Sequence, residues 1–388
     1  RLGTAIVQAV FDEEAGLWRL TTSQGETVSA RVVVSAVGGL VDPAYPNIEG
    51  LEDFQGDVFH TARWNHDVPL DDRRIGIIGT GSTAVQITTA LADRVGHLDL
   101  YQRTAQWILP QDNPAYTRDE KAAYREQPDT LEAAHVGLST AFAEGFANAV
   151  VDAESPQIKA IAEMCLTNLE DNVIDPELRE RLRPDYRAAC KRLVISPDFY
   201  SAIQHPNSEL VTEPIRRVEA RGVRTVDGQL HDLDVLVLAT GFKVDSFMRP
   251  MKVIGRDGID LDEVWADRPL AYLSISIPDF PNLFLLNGPN GPVGNFSLIE
   301  VAEHQFGYIM QLVDRLRSGA VSEISATREA TDQLEADRIE AAKSTVWVTG
   351  CRSWYLDDRG IPAAWPWRFD RFRDEMAAPK MAAYEVRP

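Results

Sequence analysis

A chain of 388 residues with 44% apolar side chains is long enough for two domains of about 100 to 200 residues, each with its own core. Its formal charge of −20 repels polyanions and argues against nucleic acid or an anionic membrane as the main partner. Cys165, Cys190 and Cys351 are odd in number and widely spaced, so neither a disulfide framework nor a metal site is expected, and no run of 18 apolar residues suggests a membrane span. A cytoplasmic protein is the expectation.

Residues 4–37 alternate short apolar runs (TAIVQAVF, LWRLTT, VSARVVVSAVG) with turns, the pattern of a strand meander ending in a buried run. Pro43, Pro46 and Gly50 then mark a linker from one sheet to another. From Arg73 the text changes to strand IGIIG, turn TGS, helix TAVQITTALADRV and strand HLDLYQR, the start of a βαβ unit. Residues of about 112–186 read as helical, with charged faces and apolar Ile158, Ile161 and Cys165 at three-to-four spacing, and so form an insertion. Strands resume at LVIS and continue through SELVTEPI, RRVEARGVRTVDG, LDVLVLATG, LAYLSISI and NLFLLNG. A helix from Leu298 to Arg317 and a Trp- and Pro-rich tail complete the chain.

Gly79-Thr80-Gly81-Ser82-Thr83-Ala84 lies between a strand and a helix, the context in which a G-x-G-x-x-A string binds a dinucleotide. Gly79 permits the tight turn, Gly81 lets backbone approach a pyrophosphate, and Ala84 allows close packing of helix on strand. The first N–H groups of the helix then face the anion. At the end of the next strand an NAD site would carry an acid for the ribose hydroxyls. This chain has Arg103 followed by Thr104, and a guanidinium suits a 2′-phosphate, so NADP(H) is the expected nucleotide.

Just ahead of this turn stands Phe54-x-Gly56-x-x-x-His60-x-x-x-Trp64. The string resembles the identifying motif of the Baeyer–Villiger monooxygenases, with Asn65 where that motif has Pro or Asp. Trp64 favours this branch over the related monooxygenases that oxygenate nitrogen or sulfur. Further similarity lies in Lys191-Arg192 ahead of Asp198-Phe199-Tyr200, in Ala239-Thr240-Gly241-Phe242 after a buried strand, and in Gly288-Pro289-Asn290 before the helix at Leu298. Lys243 departs from the usual acidic residue.

The resemblance implies an α/β flavoprotein with two dinucleotide-binding domains. A Rossmann-like FAD domain would comprise residues 1–45 and 245–388, and an NADP domain residues 46–244 with the insertion at 112–186. It implies FAD and NADP(H) as cofactors, with one atom of O2 inserted beside the carbonyl of a small apolar ketone through a flavin C4a-peroxide. By the same correspondence Lys191 joins Arg103 at the 2′-phosphate, Arg192 is the catalytic arginine, and Phe54, Gly56, His60 and Trp64 couple the two domains. Ala239, Thr240, Asn290 and Leu298 would also meet cofactor. The first βαβ unit of the FAD domain, with its glycine turn, is not in the sequence; the expectation is an N-terminally incomplete enzyme that binds FAD poorly. An N- or S-oxygenating monooxygenase and an inactive NADP-binding fragment stay open as alternatives. The tail tryptophans Trp347, Trp354, Trp365 and Trp367 read equally as pocket lining or as core.

Overall fold

A computed structural model describes residues 1–294 and 296–388. The chain divides into two compact units, the first comprising residues 1–42, 139–154 and 243–388, and the second 43–138 and 155–242.

The second unit is built on a five-stranded sheet in the order Ser208–Val211, His97–Tyr101, Arg74–Ile78, Val235–Leu238, Asp57–His60, every neighbouring pair parallel. A parallel sheet buried on both faces calls for near-continuous apolar strands, and VLVL at 235–238 is buried at all four positions. One face, with Ile75, Ile77, Leu98, Leu100, Val235 and Val237, packs against Ala84, Val85 and Leu91 of the Ser82–Leu91 helix. The other, with Ile78, Tyr101, Leu236 and Leu238, meets Val218 and Val223 of a small antiparallel sheet whose strands are Ile215–Glu219, Gly222–Thr225 and Leu230–Asp232, and Leu233 just after it. The LVIS strand is short, Val194–Ile195, and pairs with Ile108–Leu109. The Pro156–Asn172 helix buries Ile158, Ile161, Cys165, Asn168 and Leu169, one face of a 3.6-residue period.

In the first unit the meander forms a sheet in the order Lys252–Ile254, Ile6–Asp12, Leu17–Thr22, Thr27–Ala30. Trp18 is wholly buried there, its Nε1 donating to the Pro281 carbonyl at 2.8 Å. The expected buried run at the end of the meander is instead half-exposed: Val33–Ser35 pairs in parallel with Leu283–Leu285, and Val34 faces outward. The Leu298–Arg317 helix buries Val301, Gln305, Tyr308, Ile309, Leu312 and Leu316 and shares a core with Phe369, Phe372 and Met376 of the Phe369–Ala377 helix.

Two further expectations from sequence need amendment. Residues 139–154 belong with the first unit and not with the rest of the 112–186 insertion. Ala147 is buried among Phe296 and Phe369, Asn148 Oδ1 accepts the Phe369 N–H at 3.0 Å, and Ser139 donates to Glu300 at 2.8 Å. LAYLSISI is no strand: Leu273 and Ser274 have left-handed backbones (φ 52° and 64°), which fold the segment so that Tyr272 bridges Ser276. Among the tail tryptophans, Trp347 and Trp365 are core residues, Trp367 is half-buried and Trp354 is exposed. Among the described residues no helix is long and apolar enough to cross a membrane.

Candidate nucleotide site and coupling motif

The Arg74–Ile78 strand ends at Gly79, whose φ of +118° is closed to ordinary L-residues. A Cβ there would lie 2.4 Å from the Ala239 carbonyl oxygen, so the turn passes against the end of the neighbouring strand because this residue has no side chain. Gly81 differs. It caps the helix with an ordinary extended backbone (φ −72°, ψ −179°), and a Cβ on it would meet nothing within 4 Å. The space in front of Gly81 is therefore open, and what its missing side chain admits comes from outside the fold. The first helical bond runs from Val85 N–H to the Gly81 carbonyl at 3.1 Å, leaving the N–H groups of Ser82, Thr83 and Ala84 available at the positive end of the helix dipole. Ala84 is fully buried against the sheet.

Thr80 Oγ1 donates to the Thr104 carbonyl at 2.9 Å, and Gln106 Nε2 donates to both Thr80 Oγ1 and that carbonyl at 3.2 Å. Arg103 is exposed at the carboxyl end of the His97–Tyr101 strand, as the sequence required. Lys191, from far along the chain, is half-buried nearby. Burial pulls its ammonium below the usual lysine range, the neighbouring Arg103 pulls it further, and Asp185 partly opposes them. Its Nζ sits 4.5 Å from the ring centroid of Tyr186, whose hydroxyl donates to Gln106 Oε1 at 3.2 Å. Among the described residues neither Arg103 nor Lys191 forms an ion pair with a carboxylate, although acids outnumber bases 59 to 39 in the chain. Two adjacent cations without an acidic partner, beside free helix N–H groups and an open glycine, suit a phosphorylated dinucleotide. Arg192 is exposed next in sequence. Gln106 and Tyr186 were missed by sequence reasoning; a lone glutamine and a tyrosine at the end of a helical insertion carry no spacing signal.

The fingerprint residues are structural where they stand. Phe54 is buried with Ile78, Tyr101 and Val218, and Gly56 has no room for a Cβ, which would lie 2.3 Å from the Asp234 carbonyl oxygen. Trp64 packs edge-on against Phe59 at 4.8 Å. His60 is 1% exposed; its Nδ1 accepts the Ala62 N–H at 3.0 Å, which places the ring proton on Nε2. Nε2 lies buried near the Gly241 carbonyl without completing a hydrogen bond. Burial holds the imidazole below its ordinary pKa, an effect that the Gly241 carbonyl opposes and Arg63 reinforces. The ring faces Tyr45 at 5.4 Å and Phe242 at 6.0 Å, close in sequence to two of the four points where the chain passes between the units, 42/43 and 242/243. There Ala44 N–H donates to the Gly241 carbonyl at 2.9 Å, Thr240 Oγ1 donates to the Ala44 carbonyl at 2.6 Å, and Pro43 bridges Phe242.

In the first unit, Asn290 is held in a left-handed turn (φ 62°), and Leu298 opens the long helix with its side chain exposed. Leu298, Ile299 and Phe306 line an open apolar cavity of about 460 Å³ with Ala36, Leu286 and Asn287. Among the described residues Asn287 Oδ1 and the buried Gln305 Nε2 have no hydrogen-bond partner. Orphaned polar atoms beside an apolar wall fit a flat ring that carries its own donors and acceptors, as a flavin does.

These features define the class first: a two-unit α/β fold whose best-formed site suits a phosphorylated dinucleotide. The model of the flavin-binding monooxygenase-like family matches residues 5–120. An uncharacterized monooxygenase of Mycobacterium tuberculosis is 44% identical over all of this chain and 77% of its own length. A Baeyer–Villiger monooxygenase of Pseudomonas aeruginosa is 35% identical over 95% of this chain and 71% of its own length. Among solved structures, cyclohexanone monooxygenase from Rhodococcus sp. Phi1 bound to NADP+ superposes with a TM-score of 0.87 at 29% identity, covering 100% of this chain and 80% of that one. The chain belongs to the flavin-dependent monooxygenases of the Baeyer–Villiger type.

Proposed function

We propose that the protein inserts one oxygen atom of O2 next to the carbonyl of a small apolar ketone, giving an ester or lactone, with FAD and NADPH as cofactors. The observation that carries this reading is the cation pair Arg103 and Lys191 beside the open Gly81, in a chain whose fingerprint keeps Trp64. When bound, NADPH supplies hydride and FAD the oxygen-activating chemistry.

The residues of this chain bind, orient and stabilise charge. Gly79, Thr80, Gly81, Ser82, Thr83 and Ala84 form the pyrophosphate cradle, with Ala239 closing it from the neighbouring strand. Arg103, Thr104 and Lys191 select the 2′-phosphate, for which a rigid guanidinium fork and an ammonium are matched donors. Arg192 is the catalytic arginine: a delocalised cation that stays protonated can stabilise oxyanion charge as it develops. His60 and Thr240 hold the paired crossings at 42/43 and 242/243, which supports a coupling role for the fingerprint. Asn290 and Leu298 contribute to the flavin side.

The test is product analysis with 18O2 on a panel of cyclic ketones, sulfides and tertiary amines. One labelled oxygen in a lactone supports the reading; sulfoxide or N-oxide with no lactone replaces it with heteroatom oxygenation.

A further inference from the structure

We propose that Tyr186 and Gln106 are positioning residues that fix Lys191 as a reader of the 2′-phosphate and tie it to the nucleotide turn; the inference rests on the NADPH reading above. Lys191 faces a mechanical problem. Its flexible four-carbon stem carries an ammonium toward Arg103, and like charges push it away. Among the described residues nothing acidic pairs with it at close range, and a carboxylate there would neutralise the cation meant for the phosphate.

The ring face of Tyr186 meets this difficulty. At 4.5 Å from the centroid it attracts the ammonium through its quadrupole without forming an ion pair, so the charge is held and remains available.

The ring is itself anchored. The Tyr186 carbonyl accepts the indole N–H of Trp107 at 2.8 Å, and its hydroxyl donates to Gln106 Oε1 at 3.2 Å. The amide of Gln106 then donates to Thr80 Oγ1 and the Thr104 carbonyl, each at 3.2 Å. Thr80 lies between the two glycines of the turn, and Thr104 follows Arg103. A continuous chain of contacts therefore runs Lys191–Tyr186–Gln106–Thr80, joining the cation that recognises the extra phosphate to the turn that takes the pyrophosphate. It pre-organises two points of one ligand whose separation is fixed. The remaining oxygen and nitrogen of Gln106 are both used, so the amide orientation is set by the network.

The experiment uses the full chain and two adenosine fragments, 2′,5′-ADP and 5′-AMP, with affinities read by calorimetry and NADPH and NADH kinetics measured beside them. Tyr186→Leu removes the ring face and is expected to weaken 2′,5′-ADP by about 5- to 30-fold, the range of a partly desolvated cation–π contact, while 5′-AMP changes less than about two-fold. In turnover, KM for NADPH should rise with kcat retained. Tyr186→Phe keeps the ring and releases its hydroxyl, and Gln106→Leu cuts the same link from the other side; each should give a smaller loss in the same direction. Should Tyr186→Leu fail to fold, these two variants carry the test. Equal loss for both fragments, or no change in either, overturns the proposal. If the unmodified protein does not prefer 2′,5′-ADP, the NADPH reading falls and takes this inference with it. If Arg103→Ala abolishes the preference and the Tyr186 and Gln106 variants keep it, only this inference falls.

Discussion

Two glycines of one turn, two residues apart, should respond in opposite ways to the same methyl group. At Gly79 an alanine must adopt φ near +118° and place its Cβ 2.4 Å from the Ala239 oxygen, a backbone atom at the end of the Val235–Leu238 strand. The left-handed backbone costs about 1–2 kcal/mol. Relieving the overlap costs about 1–3 kcal/mol more, because the strand cannot yield like a flexible side chain. Gly79→Ala should therefore lose roughly 2–5 kcal/mol of stability. Gly81→Ala meets no atom within 4 Å and needs no unusual backbone, so only a weaker helix cap is lost, about 0.5–1 kcal/mol. Its methyl instead enters the open space into which the pyrophosphate is proposed to come, and NADP affinity should fall at least about ten-fold, or 1.4 kcal/mol. Urea denaturation and NADP titration of both variants make the comparison. Undiminished NADP affinity in Gly81→Ala, or stability losses of equal size in the two variants, would refute this assignment of roles.

Other consequences can be measured alongside. Arg103→Ala should weaken NADPH by about 1.5–3 kcal/mol, the range of a charged hydrogen bond, and leave NADH nearly unchanged; stopped-flow titration with both nucleotides decides, and equal effects would remove the phosphate contact. Arg192→Ala should lower oxygenation at least about 100-fold with NADPH affinity retained, and unimpaired ester formation would take Arg192 out of the mechanism. His60 is held below its ordinary pKa of 6.5 in the folded protein, so the unfolded chain takes up its proton first as pH falls. Its share of stability is whole above about pH 6.5 and is lost between there and the lower folded value, at no more than about 1.4 kcal/mol per pH unit. His60→Gln should flatten that segment of the stability–pH curve, and an NMR titration placing His60 at or above 6.5 would contradict the burial argument.

The parts of the site legible in sequence are those where backbone geometry dictates residue type. Gly79 stands against Ala239, Gly56 against Asp234, and Ala84 between helix and sheet; each leaves a mark at a fixed offset. Arg103 was legible for the same reason, since strand length places it at the carboxyl edge. Lys191 came from family resemblance, because a pair of adjacent cations has no periodicity to betray it. Tyr186 and Gln106 left no trace: their role depends on a lysine five residues beyond Tyr186 but far from Gln106 in sequence, and on a turn that meets them only in three dimensions. LAYLSISI failed for a different reason. Its apolar and polar alternation is that of a strand, and nothing in the letters announces left-handed backbones at Leu273 and Ser274. Residues 139–154 continue a helical text without a break, and it is contacts made in three dimensions, the burial of Ala147 among Phe296 and Phe369 and the bonds of Ser139 and Asn148, that assign them to the first unit.

The bridge between Pro43 and Phe242 also bears on how such a chain tolerates change in length. Departure and return occur side by side, so the stretch from 43 to 242 begins and ends as a tight hairpin does, whatever lies between. Closure entropy rises only with the logarithm of the enclosed length, by about 0.6 kcal/mol per doubling. Lengthening or trimming loops within that stretch, away from the excursion at 139–154, should therefore leave the first unit's folding nearly untouched. The pair of positions frames a stretch whose own loops can be enlarged or exchanged, provided that residues 139–154, which pack in the first unit, are kept.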